Sequence, residues 1–293
     1  MSIVLPRYVK LHIVVLILGF TAILGKLIQL PAVELVWYRM LIAFISIFIY
    51  SKINKISFRI PLKEIFKMFG IGVVVAAHWI CFFHAIKVSN VSVTLGCIAT
   101  TTLFTSFLEP LSQHKKIHWL EVFIGLIIIA GLYMIFQFET RYALGIFFAL
   151  TCALLAAVFN VLNKNITNRY DGHVIGFYEM LSGFISICIY MLCTENINEI
   201  NLHLSISDLI YLMLLGSVCT AYAYVVTIDL MKKLSAYIII LSINLEPVYG
   251  ILAAYFIFGS TEYMTLGFYA GTLLITASVF VYPVLKRRYF SEG

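Results

Sequence analysis

The chain has 293 residues, 62% of them hydrophobic and only 12% charged, with a mean hydropathy of +1.01 and a formal net charge of +6. Soluble domains are roughly 45–50% apolar and about 25% charged, so a globule of this composition could not cover itself in water. That excludes a soluble enzyme, a secreted disulfide scaffold, a disordered chain and a nucleic-acid-binding domain, and leaves an integral membrane protein.

Ten apolar runs follow one another, at about 11–29, 34–51, 66–86, 91–111, 119–136, 143–163, 174–193, 208–229, 235–258 and 264–285. A spanning helix uses about 20 apolar residues. Runs of this length without period-2 alternation are helices, which satisfy their own backbone in lipid. Arg7 and Lys10 precede the first run, but no A-x-A-like cleavage site follows, so the first helix is read as uncleaved. The six cysteines form no C-x-x-C pair and are read as buried small hydrophobes.

Polar groups inside such runs are costly, which makes each one a candidate for function. Lys26 and Arg39 lie toward the outer ends of the first and second helices, where snorkelling explains them as well as substrate binding or gating does. His78 and Trp79 fall midway along the third helix; the histidine is either a proton-linked or substrate-binding group or a satisfied packing residue. The fourth helix carries Thr94, Thr101, Thr105 and Glu109 in a stripe, of which Thr101 is taken as a cavity candidate. A similar stripe on the sixth (Gly145, Ala149, Ala156, Asn160, Asn163) has Asn160 as its best candidate, because a bare amide in lipid needs a partner.

In the seventh helix, Glu179 sits where the second has Arg39, suggesting charges that gate opposite faces. The eighth has Gly216, Thr220, Ala223 and Thr227, together with Tyr222. The ninth places Ser242, Glu246, Tyr249 and Ala253 on one face. Pro247 should kink or break that helix beside Glu246, which is either a functional acid or a structural one. Gly267-x-x-x-Gly271 in the tenth serves a dimer face or, more simply, packing within the chain.

Ten crossings make a prediction about charge. With the N-terminus inside, sixteen of the twenty Lys and Arg residues fall in inside segments; Lys87 and Arg141 lie outside, and Lys26 and Arg39 lie within helices. This is the positive-inside pattern, with both termini cytoplasmic. It also places the net positive charge on the rim facing anionic lipid, without any nucleic-acid partner.

Val36 to Tyr50, VWYRMLIAFISIFIY, matches Gly176 to Tyr190, GFYEMLSGFISICIY, at nine of fifteen positions with an offset of 140. GLIIIAG, Gly125 to Gly131, is echoed by GTLLITAS, Gly271 to Ser278. The chain therefore divides into two repeats, 1–138 and 139–293. Five crossings per repeat is an odd number, so the second half inserts upside down relative to the first. Inverted repeats of this kind are a transporter architecture.

Several stretches are similar to one family. LGFTAILGKL (Leu18 to Leu27), the spaced set Pro31, Glu34, Arg39 and Ala43, HWICFFHAIKVSNVS (His78 to Ser92) and LEPVYG (Leu245 to Gly250) occur in an order and spacing that resemble the ten-helix EamA-type branch of the drug/metabolite transporter superfamily. The resemblance spans essentially the whole chain. It departs after the ninth helix, where Gly259 is followed by Ser260 and Thr261 and the acid is displaced to Glu262, which weakens a role for that acid. The resemblance implies a basket-like bundle around a central cavity, lined mainly by the first, third, fourth, sixth, eighth and ninth helices. It also implies movement of small organic metabolites such as amino acids, often outward.

The expectation is thus an all-α integral membrane protein of ten transmembrane helices, built as two inverted five-helix repeats around a central cavity. It is a secondary transporter, in the bacterial inner membrane, of a small-molecule substrate. It has no cofactor or metal, protons are a candidate coupling ion, and it is a monomer or homodimer. No G-x-x-x-x-G-K-[ST] motif is present to bind ATP, and no H-E-x-x-H pair supports an integral-membrane enzyme.

Overall fold

The computed structural model describes residues 7–112, 119–167, 169–194, 204–231, 243 and 245–289. Among these the regular elements are all helical. They are α1 (Arg7–Leu27), α2 (Ala32–Ile53), α3 (Leu62–Val88), α4 (Val91–Ile98), α5 (Thr101–Ser112), α6 (Trp119–Phe138), α7 (Ala143–Thr167), α8 (Gly172–Thr194), α9 (Ile206–Met213), a π-helical segment (Leu214–Tyr222), α10 (Ala223–Met231), α11 (Glu246–Phe258) and α12 (Leu266–Tyr289). The elements group into ten rods, because α4 and α5 are consecutive pieces of one and α9, the π segment and α10 are pieces of another. Seven described stretches are long and apolar enough to cross a membrane, and Phe123–Ile135 and Leu266–Ser278 are shorter apolar helices. The protein is a multi-pass integral membrane protein.

The fourth rod is not the continuous helix its apolar run suggests. It breaks at Ala99–Thr100, where the Thr100 hydroxyl donates to the Cys97 carbonyl and the Thr101 hydroxyl to the Ile98 carbonyl, both at 2.7 Å. Threonines that turn back on preceding carbonyls supply the bonds a broken helix leaves open in an apolar setting.

The repeated segments pack directly on one another. Met40 reaches the space over Gly183, Trp37 Nε1 donates to Cys188 Sγ at 3.1 Å, and the Phe44 and Phe177 rings lie 6.3 Å apart. Rising numbers on α2 meet falling numbers on α8, so the two copies cross antiparallel about a point near residues 41–42 and 181–182. Arg39 and Glu179 lie on opposite sides of that point. The α1–α2 loop and Lys26 mark one end of the bundle, and Lys52 with the α2–α3 loop marks the other. At that second end His173 stacks on Tyr50 at 5.0 Å and the Tyr178 hydroxyl donates to the Phe58 carbonyl.

Glycines set the closest approaches. At α1 and α11, Gly19 and Gly250 put backbone on backbone, a Cβ on Gly19 lying 3.3 Å from the Gly250 nitrogen. A Cβ on Gly271 would sit 2.6 Å from the Gly131 carbonyl oxygen, and one on Gly267 would meet the Phe138 ring. The Gly267/Gly271 face of α12 is therefore occupied by α6 of the same chain, and these two rods share a hydrophobic cluster with Leu103, Ile128, Ile135, Phe268 and Ile275.

Gly72 of α3 is the tightest contact: a Cβ there would lie 1.8 Å from Ser182 Oγ and 2.3 Å from the Glu179 carbonyl oxygen of α8. Because backbone cannot yield as a side chain can, Gly72→Ala is expected to destabilise the protein by about 1–3 kcal/mol. Thermal melting in detergent checks this, and an unchanged midpoint would contradict so close a crossing.

Candidate functional site

Side chains of α2, α3 and the eighth rod meet at one buried charged group, with Glu246 of α11 within its electrostatic reach. That group is Arg39, two turns into α2 and only 2% exposed. Its Nε donates to Thr220 Oγ1 at 2.7 Å, its guanidinium carbon lies 3.7 Å from the centre of the Trp79 ring, and Phe83 lies beyond at 5.4 Å. Stacking on an indole face suits a guanidinium. Its Nη1 is buried and has no hydrogen-bond partner. This is not the snorkelling arginine read from the helix end: the side chain turns into the bundle instead of toward the interface.

The π segment explains how Thr220 reaches it. Gly216 lies against α2, where a Cβ would be 2.7 Å from Ile42 and 3.2 Å from the Arg39 carbonyl oxygen. Thr220 donates its own hydroxyl proton to the Leu215 carbonyl, five residues back, at 2.7 Å, which leaves its oxygen as acceptor for Arg39. Short π segments are frequent at functional sites, where they re-aim a helix face.

Glu246 lies within electrostatic reach of Arg39, and so does Cys219, whose thiol faces Thr21. Glu246 is partly buried and opens α11, with Pro247 in the first turn. There the proline lacks an N–H that the first turn of the helix does not use. Tyr249, one turn on, packs beside Gly19 and the Leu11–Val15–Leu230 cluster. Ser242, proposed for the same face, lies outside the described residues.

His78 is buried at 8% exposure, and its Nδ1 lies 2.9 Å from the Cys152 carbonyl oxygen of α7. The ring sits 5.3 Å from Phe159, and Arg39 is within electrostatic reach. It is a bonded link between α3 and α7 at the margin of the site. Trp79, next along, forms part of its wall.

Other candidates fall elsewhere. Asn160 is exposed, and its neighbour Asn163 takes the buried position, 7% exposed. Tyr222 is 49% exposed, whereas Tyr224 turns inward and donates its hydroxyl to Glu179. Thr101 spends its hydroxyl on the helix break. Arg39 and Glu179 do not pair with each other. Glu179 is wholly buried and bonded to Asn163 and Tyr224.

Lys26 is no free snorkelling group either. It donates to Glu262 at 2.7 Å and to Thr261 at 3.0 Å, and lies 4.3 Å from the Phe258 ring. Glu262, read from the sequence as weakened by its displacement, is 0% exposed and also accepts from the backbone N–H groups of Val91 (3.1 Å) and Ser92 (2.8 Å). It closes the N-terminus of α4 together with the cap residue Asn90, whose Oδ1 accepts from Val93 N. One carboxylate thus ties α1, α4 and the α11–α12 turn together at the Lys26 end. Among the described residues no group of three or more His, Cys, Asp or Glu side chains could hold a metal ion.

No curated protein matches the sequence significantly. A solved structure, described only as "Crystal structure of protein", matches over 96% of this chain and 98% of its own, with a TM-score of 0.67 and 16% identity. That likeness establishes a shared fold. The profile of the EamA-like transporter family matches twice, over residues 8–137 and 143–282. With two copies of that profile covering nearly all of its length, the chain belongs to the EamA-like transporter family, a group of small-molecule membrane transporters within the drug/metabolite transporter superfamily.

Proposed function

We propose that this protein is a secondary transporter that exports amino acids or related small metabolites by alternating access. In this reading ten crossings form two inverted repeats, 1–138 and 139–293, which rock about a site between them. The membrane is a bacterial inner membrane, with both termini cytoplasmic. The observation that carries the reading is the unpartnered Nη1 of buried Arg39. A buried guanidinium with a free donor is suited to a carboxylate, which accepts its N–H groups in a fixed geometry. Glu246, within electrostatic reach of the same guanidinium, supplies the complementary charge for an ammonium group. The two together fit a zwitterion, and Trp79 and Tyr249 furnish apolar walls.

The test compares an amino acid with its deaminated carboxylic acid as competitors for uptake into proteoliposomes. Wild type is expected to prefer the amino acid, and Glu246→Gln to lose about 10- to 100-fold of that preference, the worth of one charge-assisted hydrogen bond. A variant with the wild-type preference would remove Glu246 from the site. The alternative of an uncoupled facilitator is separated by an imposed pH gradient: a coupled carrier accumulates substrate above equilibrium, and a facilitator only equilibrates it.

A further inference from the structure

Toward the Lys52 end, the bundle buries an acid that the Arg39 site does not use. Glu179 of α8 is 0% exposed. Its Oε2 accepts from Asn163 Nδ2 of α7 at 3.3 Å and from the Tyr224 hydroxyl of α10, and the same Asn163 nitrogen donates to that hydroxyl at 3.1 Å. The other carboxyl oxygen, Oε1, is buried without a partner, and so is Asn163 Oδ1. Both orphans are acceptors, and they belong to the two groups that the Nδ2–Oε2 bond already joins. An unsatisfied buried acceptor costs about 1–3 kcal/mol, and an ionised carboxylate has no proton with which to relieve its neighbour.

The described residues around it offer no other relief. On α3, Gly72 lies against the Glu179 backbone, and on α8 the Ser182 hydroxyl donates to the Glu179 carbonyl at 3.0 Å. From α2, Met40 covers Gly183. From α7 comes Asn163, which does not titrate, and from α10 comes Tyr224. Among the described residues Tyr224 is the one titratable group that acts on this carboxyl, and no Lys, Arg or His does so. His173, at the start of α8, is paired with Asp171 at 2.7 Å. A buried carboxylate without a cation is strongly disfavoured.

A single proton on Oε1 would turn that orphan acceptor into a donor, and Asn163 Oδ1 is the orphan acceptor on the amide already bonded to this carboxyl. With Asn163 Nδ2 still donating to Oε2, carboxylic acid and amide would be joined by two hydrogen bonds in place of one. We propose that Glu179 and Asn163 form an exchangeable proton-binding site, the seat of the coupling ion in the transport cycle. Only the coupling rests on the transporter reading; the proton site stands on its own geometry. Loading forms one O–H bond on a carboxylate with a proton from water, and unloading returns that proton to water, without redox change. The eighth rod links the two sites, since Thr220, which holds Arg39, and Tyr224, which holds Glu179, are one turn apart on the same face.

Infrared spectra of the purified full-length protein, in H2O and D2O over a range of pH, test the proposal. At neutral pH wild type is expected to show a deuterium-sensitive carbonyl band of a protonated carboxyl that Glu179→Gln lacks. The band fades reversibly as pH rises, and Asn163→Leu shifts it to higher frequency by removing the Nδ2 bond. Glutamine can both donate to Asn163 Oδ1 and accept at its own carbonyl, so Glu179→Gln is expected to melt no lower than wild type. Identical carboxyl regions in wild type and variant, or a band that persists unchanged until the protein unfolds, would overturn the site.

In proteoliposomes, Glu179→Gln is expected to keep exchange of a labelled amino-acid mixture across the membrane and to lose its accumulation under a pH gradient. Gradient-driven accumulation at the wild-type level in that variant overturns the coupling. If wild type itself fails to exchange amino acids, the transporter reading fails, while the infrared result still decides the proton site.

Discussion

With amino acids as the proposed substrate, Arg39→Lys is expected to lower the rate of uptake into proteoliposomes by about 10- to 100-fold, although the positive charge is retained. The guanidinium does three things at once: Nε holds Thr220, the plane stacks on Trp79, and Nη1 remains to meet a ligand. Lysine carries its three donors on one nitrogen at the end of a flexible stem, with no plane to lay on an indole, so it cannot hold Thr220, stack on Trp79 and meet a ligand in the same geometry. The loss is expected in transport and not in folding, because an ammonium can still donate to Thr220. Initial rates together with melting in detergent separate the two, and a rate within about twofold of wild type at equal expression would contradict the assignment. Thr220→Val removes the anchor and leaves the guanidinium in place, so its effect is expected to be smaller and in the same direction.

The second large effect is on stability. Glu262→Ala removes the acceptor for Lys26 and for the backbone N–H groups of Val91 and Ser92 in one step. The two N–H groups are buried, whereas the Lys26 side chain is 25% exposed and can turn to water. Stranding them is expected to cost about 2–4 kcal/mol, with the lysine contributing the smaller share. Glu262→Gln retains an acceptor oxygen but not the charge, and is expected to fall between the variant and wild type. Thermal unfolding in detergent measures both, and an alanine variant that melts like wild type would contradict the capping role.

Features that survive without coordinates are legible in the sequence, and those set by how one helix turns toward another are not. The membrane class and the repeat followed from composition and from the matching Val36–Tyr50 and Gly176–Tyr190 segments, because hydrophobic run length and identity at fixed offset survive without coordinates. Trp79 and Glu246 stand out in the sequence because a polar group or polar-edged ring deep in an apolar run is conspicuous wherever it points.

Orientation was harder to read. Asn160 and Asn163 share a helix and a stripe of small residues, and only the approach of α8 selects Asn163. In the eighth rod, a π segment of nine residues departs from the α-helical register, and the residue that turns inward is Tyr224, not Tyr222. Arg39 lies near a helix end in sequence, and only the packing of α2 against α3 and the π segment shows that it faces inward. Glu262 sits in a turn, where no periodicity assigns it a neighbour; its meaning comes from α4 beginning beside it.

In the proposed alternating-access cycle, a single site between inverted halves is exposed to one side of the membrane at a time. The most direct measurement is counterflow: proteoliposomes of wild-type protein are preloaded with unlabelled amino acids, and entry of a labelled tracer is followed without any ion gradient. An alternating-access carrier predicts tracer accumulating transiently above its external concentration, with the overshoot lost in Arg39→Lys. Tracer that only equilibrates, at a rate indifferent to what is loaded inside, would contradict it.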